Sequence, residues 1–163
     1  MENTEDKLRK ILKECKRDKT MTFNVDYWDK NKRDPYEWRV VYIGPKYSPY
    51  EGGIFTVKVK IPKEYPSKRP EFFFITRIYH LNIYWISDDN DGHVCFGDSV
   101  GNDIKELLKL VNTYFNRQNP DSTWYDESVK QSYRDYLAGK SKAFYEKAQQ
   151  WVHLYAGLNQ LKK

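Results

Sequence analysis

From Thr4 to about Asp18 the apolar residues Leu8, Ile11, Leu12 and Cys15 return at helical spacing, with Lys7, Arg9, Lys10, Lys13, Lys16 and Arg17 between them. This spacing predicts an amphipathic helix with a basic outer face, and Thr4 and Glu5 suit its start. The period then shortens to two. Met21, Phe23, Val25 and Tyr27 alternate with polar residues, as do Trp38, Val40 and Tyr42, and then Phe55, Val57, Val59 and Ile61, so three antiparallel strands in a meander are expected. Gly52-Gly53 and a series of prolines punctuate the connections, Tyr65-Pro66 is a candidate for a cis peptide, and a short apolar strand follows from about Glu71 to Ile75.

Between Ile78 and Asn102 neither period persists, and so long an unpatterned stretch inside a compact domain points to a functional loop. Ile104, Leu107, Leu108, Val111, Tyr114 and Phe115 then predict a central helix broad enough to back the sheet, with Asn102 or Asp103 near its N-terminus. Two more helices are expected, from about Tyr125 to Leu137 and from about Ser141 to Ala156, separated at Gly139. The order of helix, four strands, long loop and three helices is that of an α+β fold in which helices cover a meander sheet.

Composition narrows the class. The 163 residues suffice for one domain spanning 1–163, and an aromatic share of 17% argues against disorder although 31% of residues are charged. The two cysteines, Cys15 and Cys95, make no disulfide framework, and no N-terminal apolar run or membrane-length segment is present. Free thiols in a reducing compartment, cytoplasmic or nuclear, are expected, without a membrane association. The formal charge of +5 suits a polyanion or an acidic protein surface. The pattern forces no stripe of lysines and aromatics, so nucleic acid is not the expected partner.

Candidate chemistry concentrates in Tyr79 to Cys95, YHLNIYWISDDNDGHVC. An apolar stretch ends at Ile78, His80 and Asn82 offer hydrogen-bonding groups, and a turn rich in Asp, Asn and Gly leads to a single cysteine between Val94 and Phe96. On its own residues Cys95 reads either as a small buried hydrophobe or as a thiol nucleophile. Gly92 and Gly97 free the backbone on either side of it.

Further residues carry a resemblance. Trp38 to Pro70, WRVVYIGPKYSPYEGGIFTVKVKIPKEYPSKRP, followed by FFFITRIYHLNI, resembles the ubiquitin-conjugating enzymes. The pattern there is GP…SPYEGG.F…P..YP…P, then a His-Pro-Asn tripeptide, a short turn and the active-site cysteine. Gly44, Pro45, Pro49, Tyr50, Gly52, Gly53, Tyr65, Pro66, Pro70, Tyr79, His80, Asn82 and Cys95 match in order, and the likeness runs from the basic first helix to Trp151. It implies the ubiquitin-conjugating fold and a monomeric enzyme carrying ubiquitin, or a ubiquitin-like modifier, as a thioester on Cys95. Transfer would go to a substrate lysine or a ligase cysteine. A noncatalytic modifier-binding or scaffolding module on the same fold is the alternative. No cofactor is implied, since ATP is used by the activating enzyme.

The resemblance also implies roles. Asn82 would either stabilise the oxyanion formed on amine attack or hold the active-site loop; His80 would be architectural; His93 has no counterpart. The acidic residue that the family places near the attacking lysine aligns with Ser122, a poorer proton acceptor, with Asp121 and Asp98 as nearby carboxylates. Lys7, Lys10 and Lys13 resemble the surface that engages the activating enzyme, and Pro66 and Ser67 occupy the loop that meets ubiquitin ligases, where the family usually carries a bulkier apolar residue. Leu81 replaces the proline of the tripeptide, which implies a looser turn. About five residues are added between Asn82 and Cys95, including Asp88, Asp89 and Asp91, and about five are missing between Cys95 and Ile104, together with a tryptophan-proline segment. The thiol therefore reaches its place by a different path or sits in an altered geometry.

Overall fold

In the computed structural model, residues 2–85 and 92–157 are described. The first helix, α1 (Thr4–Arg17), buries Leu8, Leu12 and Cys15 and exposes Lys7, Lys10 and Lys13. Its cap is Asn3 rather than Thr4, the carboxamide oxygen accepting the Asp6 amide at 2.8 Å. The meander follows as β1 (Asn24–Tyr27), β2 (Glu37–Ile43), β3 (Ile54–Lys60) and β4 (Glu71–Phe74), each antiparallel to the next. Alternation selects the inner face: Trp38, Val40, Tyr42, Phe55, Val57, Val59, Phe72 and Phe74 are buried. Tyr65-Pro66 is cis.

The loop read from sequence as unpatterned contains two strands of two residues each, β5 (Ile83–Tyr84) and β6 (His93–Val94). They extend the sheet to six strands in the order β1-β2-β3-β4-β6-β5. Two residues are too few to display a period, so the hydrophobic pattern could not reveal them.

The central helix α2 (Ile104–Tyr114) is capped by Asp103, whose carboxylate accepts the Glu106 amide at 3.0 Å. It lays Ile104, Leu107, Leu108 and Val111 on the sheet, and the buried Tyr42 hydroxyl donates to the Leu108 carbonyl at 2.8 Å. The last helices are α3 (Glu127–Leu137), capped by Asp126, and α4 (Ala143–Trp151), which continues as a π-helical turn over Val152–Ala156. No helix among the described residues is long and apolar enough to cross a membrane.

Candidate active site

The hairpin of β5 and β6 positions the thiol. Ile83 pairs with Val94 and Tyr84 with His93, and the Cys95 amide donates to the Asn82 carbonyl at 2.9 Å. Continued by one step, this register sets Cys95 opposite Asn82. The thiol is therefore held opposite Asn82 whatever the length of chain that connects the two strands. Asp88, Asp89 and Asp91 lie outside the described residues. At the base of β6, Gly92 has φ +50° and its carbonyl accepts the Phe74 amide at 2.8 Å. A Cβ there would stand 2.1 Å from the Phe74 carbonyl oxygen, so only glycine allows the hairpin to dock on β4.

His80, Leu81 and Asn82 are all buried. The His80 Nε2 faces the Tyr114 carbonyl at 2.7 Å, and its Nδ1 accepts the Asn82 amide at 3.0 Å. These partners require the Nε2–H tautomer. Burial lowers the imidazole to about 4, against a smaller opposing effect of the Tyr114 bond, so the ring is neutral near pH 7 and cross-links the turn to α2. The looser turn expected at Leu81 is not what the structure has. Leu81 is fully buried, its amide donates to the Gln118 carboxamide oxygen at 2.8 Å, and its carbonyl accepts the Thr123 hydroxyl. A proline could not make the first of these bonds.

Asn82 spends its whole carboxamide on the segment after α2. Nδ2 donates to the carbonyls of Asn119 (2.9 Å) and Ser122 (3.0 Å), and Oδ1 accepts the Asn119 amide at 2.8 Å. Both side-chain hydrogens are thus committed. Ser122 enters through its carbonyl, which also accepts the Tyr84 hydroxyl at 2.9 Å. Its hydroxyl oxygen lies close to Gly97, 3.4 Å from where a Cβ would stand.

Cys95 is half-buried. It borders an open cleft of about 360 Å³ together with Arg69, Glu71, His93, Gly97 and Asp98. Of the two carboxylates considered from sequence, Asp98 borders this cleft, while Asp121 is exposed and its amide turns back to the Asn119 side chain. His93 faces Glu71 at 3.6 Å and packs its ring, tilted by 46°, against Phe73. Cys15, in contrast, sits in the core, where burial pushes its thiol up to about 11.

The shortened segment after Cys95 is strapped down. Phe96 packs edge-on against Phe72, and the Arg69 guanidinium donates to the carbonyls of Gly97 and Val100. Asn102 donates to the carbonyls of Pro66 and Ser67, and the Tyr65 hydroxyl accepts the Ile104 amide. The residues preceding α2 and the Pro66-Ser67 loop consequently form one connected surface.

Four residues of this site were not singled out from sequence. Gln118 joins Leu81 to the Tyr50 hydroxyl (2.6 Å), Thr123 holds the Leu81 carbonyl, Tyr84 ties the hairpin to the Ser122 carbonyl, and Trp124 stacks on Tyr84 at 4.6 Å. The pair Ile83-Tyr84 follows Asn82 directly, which was the one available signal. No group of three or more His, Cys, Asp or Glu side chains that could hold a metal occurs among the described residues.

A family model described as ubiquitin-conjugating enzyme matches residues 7–152. A protein of Arabidopsis thaliana described as ubiquitin-conjugating enzyme E2 31 is 44% identical over 98 residues, a stretch that spans 56% of this chain and 59% of that protein. Among solved structures, one described as a ubiquitin conjugating enzyme from Plasmodium yoelii aligns with a TM-score of 0.73 at 26% identity, over 96% of this chain and 98% of the other. The E2 domain of a Toxoplasma gondii ubiquitin conjugating enzyme shares the fold with a TM-score of 0.68 at 24% identity, over 92% and 97%.

Proposed function

The chain belongs to the ubiquitin-conjugating enzyme family, and from that premise we propose that Cys95 carries ubiquitin or a ubiquitin-like modifier as a thioester. In charging, the Cys95 thiolate attacks the C-terminal carbonyl carbon of the modifier on the activating enzyme. A new C–S bond forms, the old one breaks, and the departing thiolate takes a proton from solvent. In discharge, a lysine amine attacks the same carbon, the C–N bond forms, Cys95 leaves as thiolate, and the nitrogen gives up its proton to solvent or a nearby base. The observation that carries this reading is the register of the hairpin, which sets a half-buried thiol opposite Asn82 despite the altered loop lengths.

In this reading Asn82 acts by holding the segment 119–122 against the thiol, because both its hydrogens are already bonded. His80 braces the turn as a neutral ring. Lys7, Lys10 and Lys13, exposed along α1, offer charge to the activating enzyme. Pro66 and Ser67 face a ligase, and the absence of a bulky apolar side chain there predicts weak binding to common RING domains; a titration with ordinary affinity for several of them would refute that part.

The central experiment incubates the protein with activating enzyme, ATP and ubiquitin and resolves it on a nonreducing gel. A conjugate that a reductant removes and that Cys95→Ala abolishes is expected. No conjugate in the wild type would leave the chain a noncatalytic modifier-binding module.

A further inference from the structure

A phenol links the hairpin that carries the thiol to the segment 119–124. Tyr84 and Cys95 are diagonal neighbours on the same face of the hairpin, a spacing that an aromatic side chain spans, and Cys95 is among the groups that act on the Tyr84 phenol. The Tyr84 hydroxyl donates to the Ser122 carbonyl at 2.9 Å. Beside it, the Asn82 carboxamide has no hydrogen left to give.

Trp124 fixes the ring. Its indole stacks on Tyr84 with centroids 4.6 Å apart and planes 12° from parallel, although Trp124 itself is 71% exposed. A large apolar side chain left in solvent, with one face laid on a buried tyrosine (4% exposed), acts as a clamp on that tyrosine.

On the reading that Cys95 carries a thioester, we infer that Tyr84 is the hydrogen-bond donor to the departing Cys95 sulfur and that Trp124 is its positioning residue. In the thiol state the phenol O–H rests on the Ser122 carbonyl. When a primary amine attacks the thioester and the C–S bond breaks, the phenol O–H turns from the carbonyl to the new thiolate. The amine proton goes to solvent, and no net transfer from Tyr84 occurs. Burial, and after it the thiolate charge, push the phenol up to about 12, so the donor keeps its proton at neutral pH.

The test has two arms, each with Tyr84→Phe, which keeps the ring and its stack, and with Trp124→Ala and Trp124→Phe. The first arm measures the pH–rate profile of Cys95 alkylation by iodoacetamide, with the labelled peptide identified by mass spectrometry so that Cys15 does not contribute. It needs neither activating enzyme nor ubiquitin. Arg69, Glu71, His93 and Asp98, which border the cleft with Cys95, and the Tyr114 phenol, which also senses the Cys95 charge, are the same in all four proteins. Tyr84→Phe is expected to move the profile to higher pH. Trp124→Ala should move it in the same direction by less, and Trp124→Phe should restore it. The second arm measures discharge of the preformed thioester to free lysine, expected to slow about tenfold in Tyr84→Phe, a loss in the range of one hydrogen bond to a charged group. An unchanged alkylation profile in Tyr84→Phe overturns the inference. If the wild type takes up no ubiquitin but its profile shifts as expected, the carrier reading fails while the Tyr84–Cys95 relationship stands.

Discussion

The amide of Cys95 donates to the carbonyl of Asn82 at 2.9 Å. This one backbone bond makes a half-buried thiol and a loop-holding carboxamide, thirteen positions apart in sequence, neighbours across a hairpin. It also connects the thiol to the rest of the fold, because the Asn82 amide is bound by His80 and the His80 ring by the end of α2.

Removing the Asn82 side chain should loosen the segment 119–122. Asn82→Ala deletes three partly buried hydrogen bonds, worth about 3 kcal/mol at about 1 kcal/mol each. Chemical denaturation should register that loss. Thioester formation on Cys95 should persist, and single-turnover discharge to lysine should slow. A discharge rate equal to that of the wild type would show that the segment does not need to be held.

The His80 ring predicts a specific acid sensitivity. Its folded value of about 4 lies below the ordinary 6.5, so the unfolded chain takes up the proton first as pH falls. Stability is then level above about pH 6.5 and declines by up to about 1.4 kcal/mol per pH unit towards pH 4, about 3 kcal/mol in all. The carboxylates held below their ordinary range, Asp18, Asp26, Asp126 and Glu127, act at lower pH. Urea titrations at pH 7, 6 and 5 should give falling midpoints, and His80→Gln should flatten the trend.

Much of this was legible beforehand. Alternation at Trp38, Val40 and Tyr42 and at Phe55, Val57 and Val59 required a sheet, and Leu107, Leu108 and Val111 required a helix against it, because burial imposes those periods. His80, Asn82 and Cys95 stood out through their order along the chain. What escaped was held by contacts between distant segments. Gln118 reads as a surface residue until the Tyr50 hydroxyl and the Leu81 amide are found on either side of it. Ser122 was singled out for its side chain, whereas its carbonyl makes the bonds to Asn82 and Tyr84.

A carboxylate at position 122 should assist amine attack. Ser122→Asp leaves the carbonyl bonds in place and sets a proton acceptor where the hydroxyl now approaches Gly97. Discharge to lysine should accelerate several-fold, below the roughly 100-fold effect of a well-placed general base, with the largest gain at the lowest pH tested. Charging should not change. Equal discharge rates across pH 6 to 8 would mean that the side chain at this position does not reach the amine.

The Arg69 strap should control the segment following the thiol. Arg69→Ala removes the donors to Gly97 and Val100, and limited proteolysis should then cut between Gly97 and Gly101 at least several-fold faster than in the wild type. Binding of a ligase that contacts Pro66 and Ser67 should weaken in parallel, since Asn102 joins the two stretches. Unaltered cleavage kinetics would show that Phe96 alone anchors the segment.

The pairing of Ile83 with Val94 and Tyr84 with His93 separates the site's reach from its length. Chain added between two paired strands costs only about 0.6 kcal/mol of closure entropy for each doubling of its length. The paired strands thus fix the Cys95 sulfur independently of the number of residues that connect them, and natural drift or a grafted epitope in that connection should leave its position unchanged.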